Sequence, residues 1–379
     1  LSRPAAMAAA ASTAPAAPRK LLLVGPSWVG DMVMADTLVQ LLVQQARERG
    51  AAPPEIHLLA PPATAPLGQR LSGITRIHEL DLTHGELGLG KRRAFAKELR
   101  GQQFDQALVL PNSLKSALVP WWANIPLRTG WSGESRVVLL NDRRKLDRDA
   151  YPLMIERFMA LALDPGAPLP KPYPQPQLQT DADNALAQLR KHDLTSERPV
   201  LALCPGAEFG PAKRWPERHF AAVATDALHA GYNVWLVGSP KDQPVGNAVL
   251  QRLAADSVLL GALPLAQTPN RLRTGNDGQQ VVNLAGQTTL LDAIDLLAMA
   301  QAVVCNDSGL MHVAAALGRR VVALYGSTSP DFTPPLSAQA EVLRHPLDCS
   351  PCFQRVCPLG HMNCLNDLDP ARVSRALAL

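Results

Sequence analysis

The chain has 379 residues, 47 % of them hydrophobic and 18 % charged, which is too long for one hydrophobic core and too apolar for wholesale disorder. Its 37 Lys and Arg against 33 Asp and Glu leave a net charge of +4, too small and too dilute to argue for a nucleic-acid partner. No uncharged apolar run reaches the roughly 18 residues needed to span a bilayer. The longest, residues 296–306, contains Gln301 and reads as buried core. The charge is nevertheless uneven. Residues 1–198 carry 24 basic and 19 acidic side chains and residues 199–379 carry 13 and 14, so an anionic partner is expected for the first half.

Residues 1–18 are rich in Ala and Pro, with Arg3 as the only charge. They lack the apolar stretch of a secretory signal and read as a disordered leader on a cytoplasmic protein, with Met7 as an alternative start to Leu1. Order begins at Lys20. The continuous apolar run 21–24 fits a buried parallel strand. A loop at 25–30 follows, then a helix from Asp31 with Met34, Leu38, Leu41 and Leu42 on one face, stopping at Gly50. Strands are expected at 55–59 and 106–110, with a helix over 91–100 between them. Trp121 and Trp122 follow a helical pattern from Ser113 and read as core rather than as a membrane-docking pair.

Five prolines within residues 164–174 predict a stiff linker. A second strand series follows at 200–203, 233–237, 302–305 and 321–325. Strand and helix alternating on both sides of the linker predict an α/β protein. Its two Rossmann-like domains, residues 19–163 and 175–379, would face a central cleft at the carboxyl ends of the strands.

Three loops at those strand ends carry chemistry. The first, GPSWVGD at 25–31, is neither a dinucleotide fingerprint nor a P-loop. It delivers Asp31 to the start of a helix, either as a stabilising first-turn carboxylate or as a reactive group in the cleft. The second, PGAEFGPAKRWP at 205–216, sets Lys213 and Arg214 just before a helix. Cations there oppose the helix dipole unless an anion binds, although a solvated basic pair is the plainer alternative. In the third, NDSGLMH at 306–312, the N–H groups of Ser308, Gly309 and Leu310 would open a helix as an anion site. Gly309 would let a phosphate approach the backbone. Asp307 could order Lys213 across the pocket. The polar loop 326–329 lies at the same sheet edge. In combination these features describe a pyrophosphate pocket.

The order of these three motifs resembles glycosyltransferase family 9, and RTGW at 128–131 with the cysteine-rich tail resembles its heptosyltransferase II subgroup. The resemblance covers about residues 20–379. It implies a GT-B fold and an inverting, metal-independent transfer of L-glycero-D-manno-heptose from ADP-heptose to the first heptose of a lipid-A-linked inner core. Alternatives are a type I or type III acceptor, or a non-catalytic sugar-nucleotide or lipopolysaccharide-binding relative. Matched by motif, Asp31 takes the general-base position and Lys213 the diphosphate-binding one. Asp307, Ser308, Gly309, Leu310 and His312 take the nucleotide-sugar loop. Thr288 matches a nucleotide-contact position. Glu208 and Phe209 replace a Thr pair of the type I relatives, so only backbone contacts carry over there.

The basic excess points to Arg128, Arg136, Arg143 and Arg144 as acceptor-binding groups, because the acceptor implied by the resemblance carries carboxylates and phosphates. A solvated charged face, paired in part with Asp142, Asp147 and Asp149, is the alternative. No cofactor is expected to be required. Cys349, Cys352, Cys357 and Cys364 have a spacing that suggests a structural zinc more than disulfides in a cytosolic chain, though it matches no standard zinc motif. A peripheral contact with the inner membrane, without a transmembrane segment, completes the expectation.

Overall fold

The structure is a computed structural model that describes residues 20–82, 85–255, 270–273 and 278–379. The leader expected at 1–18 lies outside the described residues. In the first lobe, β1 (Lys20–Val24) feeds α1 (Val29–Glu48), β2 (Glu55–Ala60) and β3 (Ile74–Glu79). It continues through α2 (Leu89–Arg100), β4 (Gln106–Val109), α3 (Leu118–Trp122), β5 (Leu127–Trp131), β6 (Asp142–Arg144) and α4 (Met154–Ala162). The strand order is β3-β2-β1-β4-β5-β6, parallel throughout. Order reverses between β1 and β4, which opens a crevice beyond their carboxyl ends. Leu21, Leu22 and Leu23 are fully buried because helices cover both faces of a parallel sheet.

The second lobe runs α5 (Ala182–Lys191), β7 (Val200–Cys204), α6 (Glu217–His229), β8 (Asn233–Leu236), α7 (Gln243–Ala255), β9 (Arg271–Arg273) and β10 (Gln280–Asn283). Then come α8 (Leu290–Met299), β11 (Ala302–Asn306), α9 (Gly309–Ala316), β12 (Arg320–Tyr325), β13 (Ala340–Arg344), α10 (Asn363–Asn366) and α11 (Pro370–Leu377). Its sheet is ordered β13-β12-β11-β7-β8-β10-β9, with β9 antiparallel to β10. The reversal here falls between β7 and β11. Both crevices therefore sit where the three motif loops leave their strands.

The proline-rich stretch joins the lobes without helix or strand. Beyond it, Gln177 donates its N–H to Asp36 of α1 at 2.9 Å, and Gln179 donates to the Arg70 carbonyl at 2.9 Å. Arg70 also reaches across to Asp295 of α8 at 2.5 Å. One apolar cluster runs through both lobes, taking in Leu38 and Val39 of α1 and Met311, Val313 and Ala314 of α9. The run 296–306 is buried as expected, forming the end of α8 and β11. The tryptophan pair departs from expectation only in part, since Trp122 still packs against the core cluster that holds Leu118 and Val119. Trp121 is 37 % exposed and Trp122 is only partly buried, because the short α3 packs its Leu118 and Val119 face inward instead.

Candidate functional site

Asp31 is in the first turn of α1, where the N-cap residue is Trp28 and makes no side-chain capping bond. Asp31 is therefore not a cap. It lines a cavity of about 710 Å³ in the first lobe, together with Trp28, Arg92, Asn112, Lys115 and Phe158. Burial pushes its carboxyl up to about 6, opposed by the Lys213 ammonium and reinforced by the Asp307 carboxylate. A carboxylate raised to this range in a cleft suits proton abstraction near neutral pH.

Across the cleft, Lys213 Nζ stands 2.5 Å from Asp307 Oδ2, with both side chains mostly buried. Thr328 donates its hydroxyl to the same oxygen at 2.5 Å. Asp307 thus fixes the lysine, as its position after β11 suggested. The Phe209 ring has two cations near it, Lys213 Nζ at 5.1 Å and the Arg355 guanidinium at 5.4 Å. Glu208 instead turns to an exposed ion pair with Lys241. Thr288 Oγ1 and Ser327 Oγ are buried without hydrogen-bond partners among the described residues.

The helices α1 and α9 meet end to end at this point. A Cβ at Gly309 would lie 2.8 Å from Val29 Cβ, and one at Gly30 would lie 2.6 Å from the His312 ring. Gly309 therefore serves close helix approach, rather than only the phosphate approach expected from sequence. His312 is buried, and that burial pushes its imidazole down to about 4, so it is neutral at pH 7. The positive ends of two helix dipoles converge beside Lys213. Ser308 is the N-cap of α9 and leaves the first-turn amides of Gly309 and Leu310 facing the cleft end of the helix.

The four arginines expected at the acceptor face have different surroundings. Arg136 is fully buried and donates to the carbonyls of Pro111 (2.7 Å) and Trp131 and to Asn112 (3.1 Å). Arg128 donates to Leu139 and Ile125 carbonyls at 2.8 and 2.5 Å. Arg144 pairs with Asp142 at 2.8 Å and donates to the carbonyls of Ala160 and Leu163. These three pin loops and strand β6, and Arg143 is exposed. The cations that line the cavity are Arg92 and Lys115, which motif reading passed over because Arg92 lies inside the basic helical run 91–93 and Lys115 is a lone cation among polar and apolar neighbours. Asn306 was also missed as a positioning residue. Its amide accepts from the Trp215 N–H at 3.0 Å and donates to the Pro205 carbonyl at 2.8 Å, tying the Lys213 loop to β11.

The cysteines of the tail are free thiols. Among the described residues no three His, Cys, Asp or Glu side chains converge as a metal-binding group. Backbone N–H groups from Met362, Leu359, Gly360 and His361 hold the Cys357 thiol below its usual range. Burial, and then the three other tail cysteines, push Cys364 up. No helix of the described residues is long and apolar enough to cross a membrane.

Comparison with known proteins bears on the same site. Residues 92–363 match glycosyltransferase family 9 (heptosyltransferase). Lipopolysaccharide heptosyltransferase 2 of Salmonella typhimurium is 45 % identical over 365 residues, covering 94 % of this chain and 97 % of that protein. Lipooligosaccharide heptosyltransferase 2 of Haemophilus influenzae is 44 % identical over 331 residues, covering 86 % and 88 %. The solved structure of E. coli ADP-heptose lps heptosyltransferase II superposes with a TM-score of 0.79 at 42 % identity, covering 95 % of this chain and 97 % of that one. The fold of two facing parallel-sheet lobes is thus the GT-B fold, and the chain belongs to glycosyltransferase family 9, the heptosyltransferases.

Proposed function

We propose that the chain transfers heptose from ADP-L-glycero-D-manno-heptose to the first heptose of a lipopolysaccharide inner core, with inversion and without a divalent metal. The observation that carries this is the raised Asp31 carboxyl at the cavity, facing Lys213 and Asp307 across the cleft. Asp31 takes the proton of the acceptor hydroxyl as its oxygen attacks the anomeric carbon. The bond to the diphosphate breaks as the new bond forms. Negative charge then develops on the leaving ADP. The Lys213 ammonium and the N–H dipoles opening α9 stabilise it without reorganisation. The acceptor is lipid-linked, and peripheral contact with the inner membrane on the cytoplasmic side fits the exposed Val137, Val138 and Leu127 of the first lobe. A structural zinc at Cys349, Cys352, Cys357 and Cys364 is a separate proposal, which metal analysis of the purified protein decides.

The reaction is tested with ADP-heptose, EDTA and two truncated cores held in anionic vesicles. One core ends before the first heptose and the other carries it. Transfer to the second core alone is expected. Transfer only to the first core would reassign the acceptor, and no transfer to either would remove the proposal. Lys213→Ala should lower kcat by about 10²-fold or more. It should also move the acid limb of the kcat/KM profile to higher pH, because Lys213 is the group that holds Asp31 down. An unshifted limb would separate Lys213 from Asp31.

A further inference from the structure

We infer that Arg355, in the tail of the chain, is a positioning residue for the nucleoside diphosphate, holding the loop that carries Lys213 in register with Asp307; this rests on the heptosyl-transfer reading above. The Lys213 loop runs from β7 to α6 with a single turn, Pro211–Lys213, as its regular structure. Asn306 ties its two ends to β11, through the Trp215 N–H and the Pro205 carbonyl. Arg355 ties its middle. Its Nε donates to the Phe209 carbonyl at 2.7 Å, and its own carbonyl accepts the Ala212 N–H at 3.1 Å. The approach is close enough that a Cβ at Gly210 would collide with the Arg355 carbonyl oxygen. The guanidinium also stands 5.4 Å from the Phe209 ring, the same ring that Lys213 Nζ approaches to 5.1 Å.

The same stretch of tail grips the other side of the ion pair. Ser350 donates its hydroxyl to the Gly326 carbonyl at 2.7 Å, and Phe353 donates its N–H to the Ser327 carbonyl at 2.6 Å. The next residue, Thr328, donates to Asp307 Oδ2 at 2.5 Å. Residues 350–355 therefore bridge the two loops whose side chains meet at Lys213 and Asp307. Phe353 has a left-handed φ of 56°, which a residue with a side chain keeps only where its surroundings hold it. Arg355 itself is exposed. Its bonds thus weigh little on global stability, and their effect falls on where the loop sits. An ammonium displaced by a fraction of an ångström loses part of its grip on charge developing at the diphosphate.

The full chain is titrated calorimetrically with ADP and with AMP, which lacks the distal phosphate. Arg355→Ala and Gly210→Ala should each weaken ADP binding about 3- to 10-fold and leave AMP binding within twofold of wild type. Arg355→Ala should also move the acid limb of the kcat/KM profile to higher pH, in the direction expected for Lys213→Ala, because a displaced ammonium holds Asp31 down less well. Added to Lys213→Ala, it should change ADP affinity less than twofold, since the group it positions is already gone. Unchanged ADP affinity in both single variants, equal losses for ADP and AMP, an unshifted acid limb, or additive losses in the double variant would each overturn the inference. If Arg355→Ala does not fold, Gly210→Ala carries the same comparisons. A wild type that binds no ADP would instead strike the parent reading.

Discussion

Asp31→Asn should lower kcat by 10²-fold or more while making the folded chain more stable above pH 6. The first effect follows from losing the base that accepts the hydroxyl proton. The second follows from proton linkage. Asp31 has a pKa of about 6 in the folded chain against 3.8 for a free aspartate, so it holds its proton more tightly when folded. Its favourable contribution is complete below 3.8 and disappears as pH rises through 6. Above that, a charge buried in the cleft opposes folding by about 1–3 kcal/mol. The neutral amide removes this opposition, and a Tm rise of about 1–4 °C at pH 8 is the expected size for a chain this long. Calorimetry and single-turnover kinetics on the same preparation check both halves. Turnover within tenfold of wild type would exclude Asp31 as the base. A lower Tm at pH 8 would show that its charge is not held against desolvation.

Asp295→Ala should be the most destabilising single change away from the cleft, at about 3–5 kcal/mol. The Asp295 side chain is fully buried, and it accepts from Arg70 at 2.5 Å, from the Asp181 N–H at 2.8 Å and from Asn184 at 2.8 Å. Truncation leaves the Arg70 guanidinium buried without its counter-charge and orphans an amide in the same place. Arg70 already has one unsatisfied buried nitrogen, Nε, so little local compensation remains. Denaturant unfolding should show the lost free energy with ADP-heptose KM little changed. A loss below 1 kcal/mol would mean that water replaces the carboxylate.

Much of this was legible in the sequence because the strands that carry the site are short continuous apolar runs. β1, β4, β7, β11 and β12 were each recognisable from composition, and their following loops led directly to Asp31, Lys213 and Asp307. β6 was not, because its three residues are Asp142, Arg143 and Arg144 and it lies at a sheet edge where polarity is permitted. The arginines show the harder limit. Arg136 and Arg92 are the same residue type in the same lobe, and no local pattern says which guanidinium is consumed by carbonyls. That depends on how the loop after β5 folds back on Trp131 and on where the chain brings the Pro111 carbonyl. Gly309 is a similar case, since its contact with Val29 spans 280 positions of chain.

The meeting of α1 and α9 through Gly30 and Gly309 also bears on waste. The proposed base rides on one helix and the amides proposed to meet the leaving group open the other, so any parting of the lobes would draw both away from the reacting carbon at once. Water entering a parted cleft finds the sugar nucleotide without an organised base. The seam that aligns the acceptor hydroxyl is thereby also a safeguard against hydrolysing the donor.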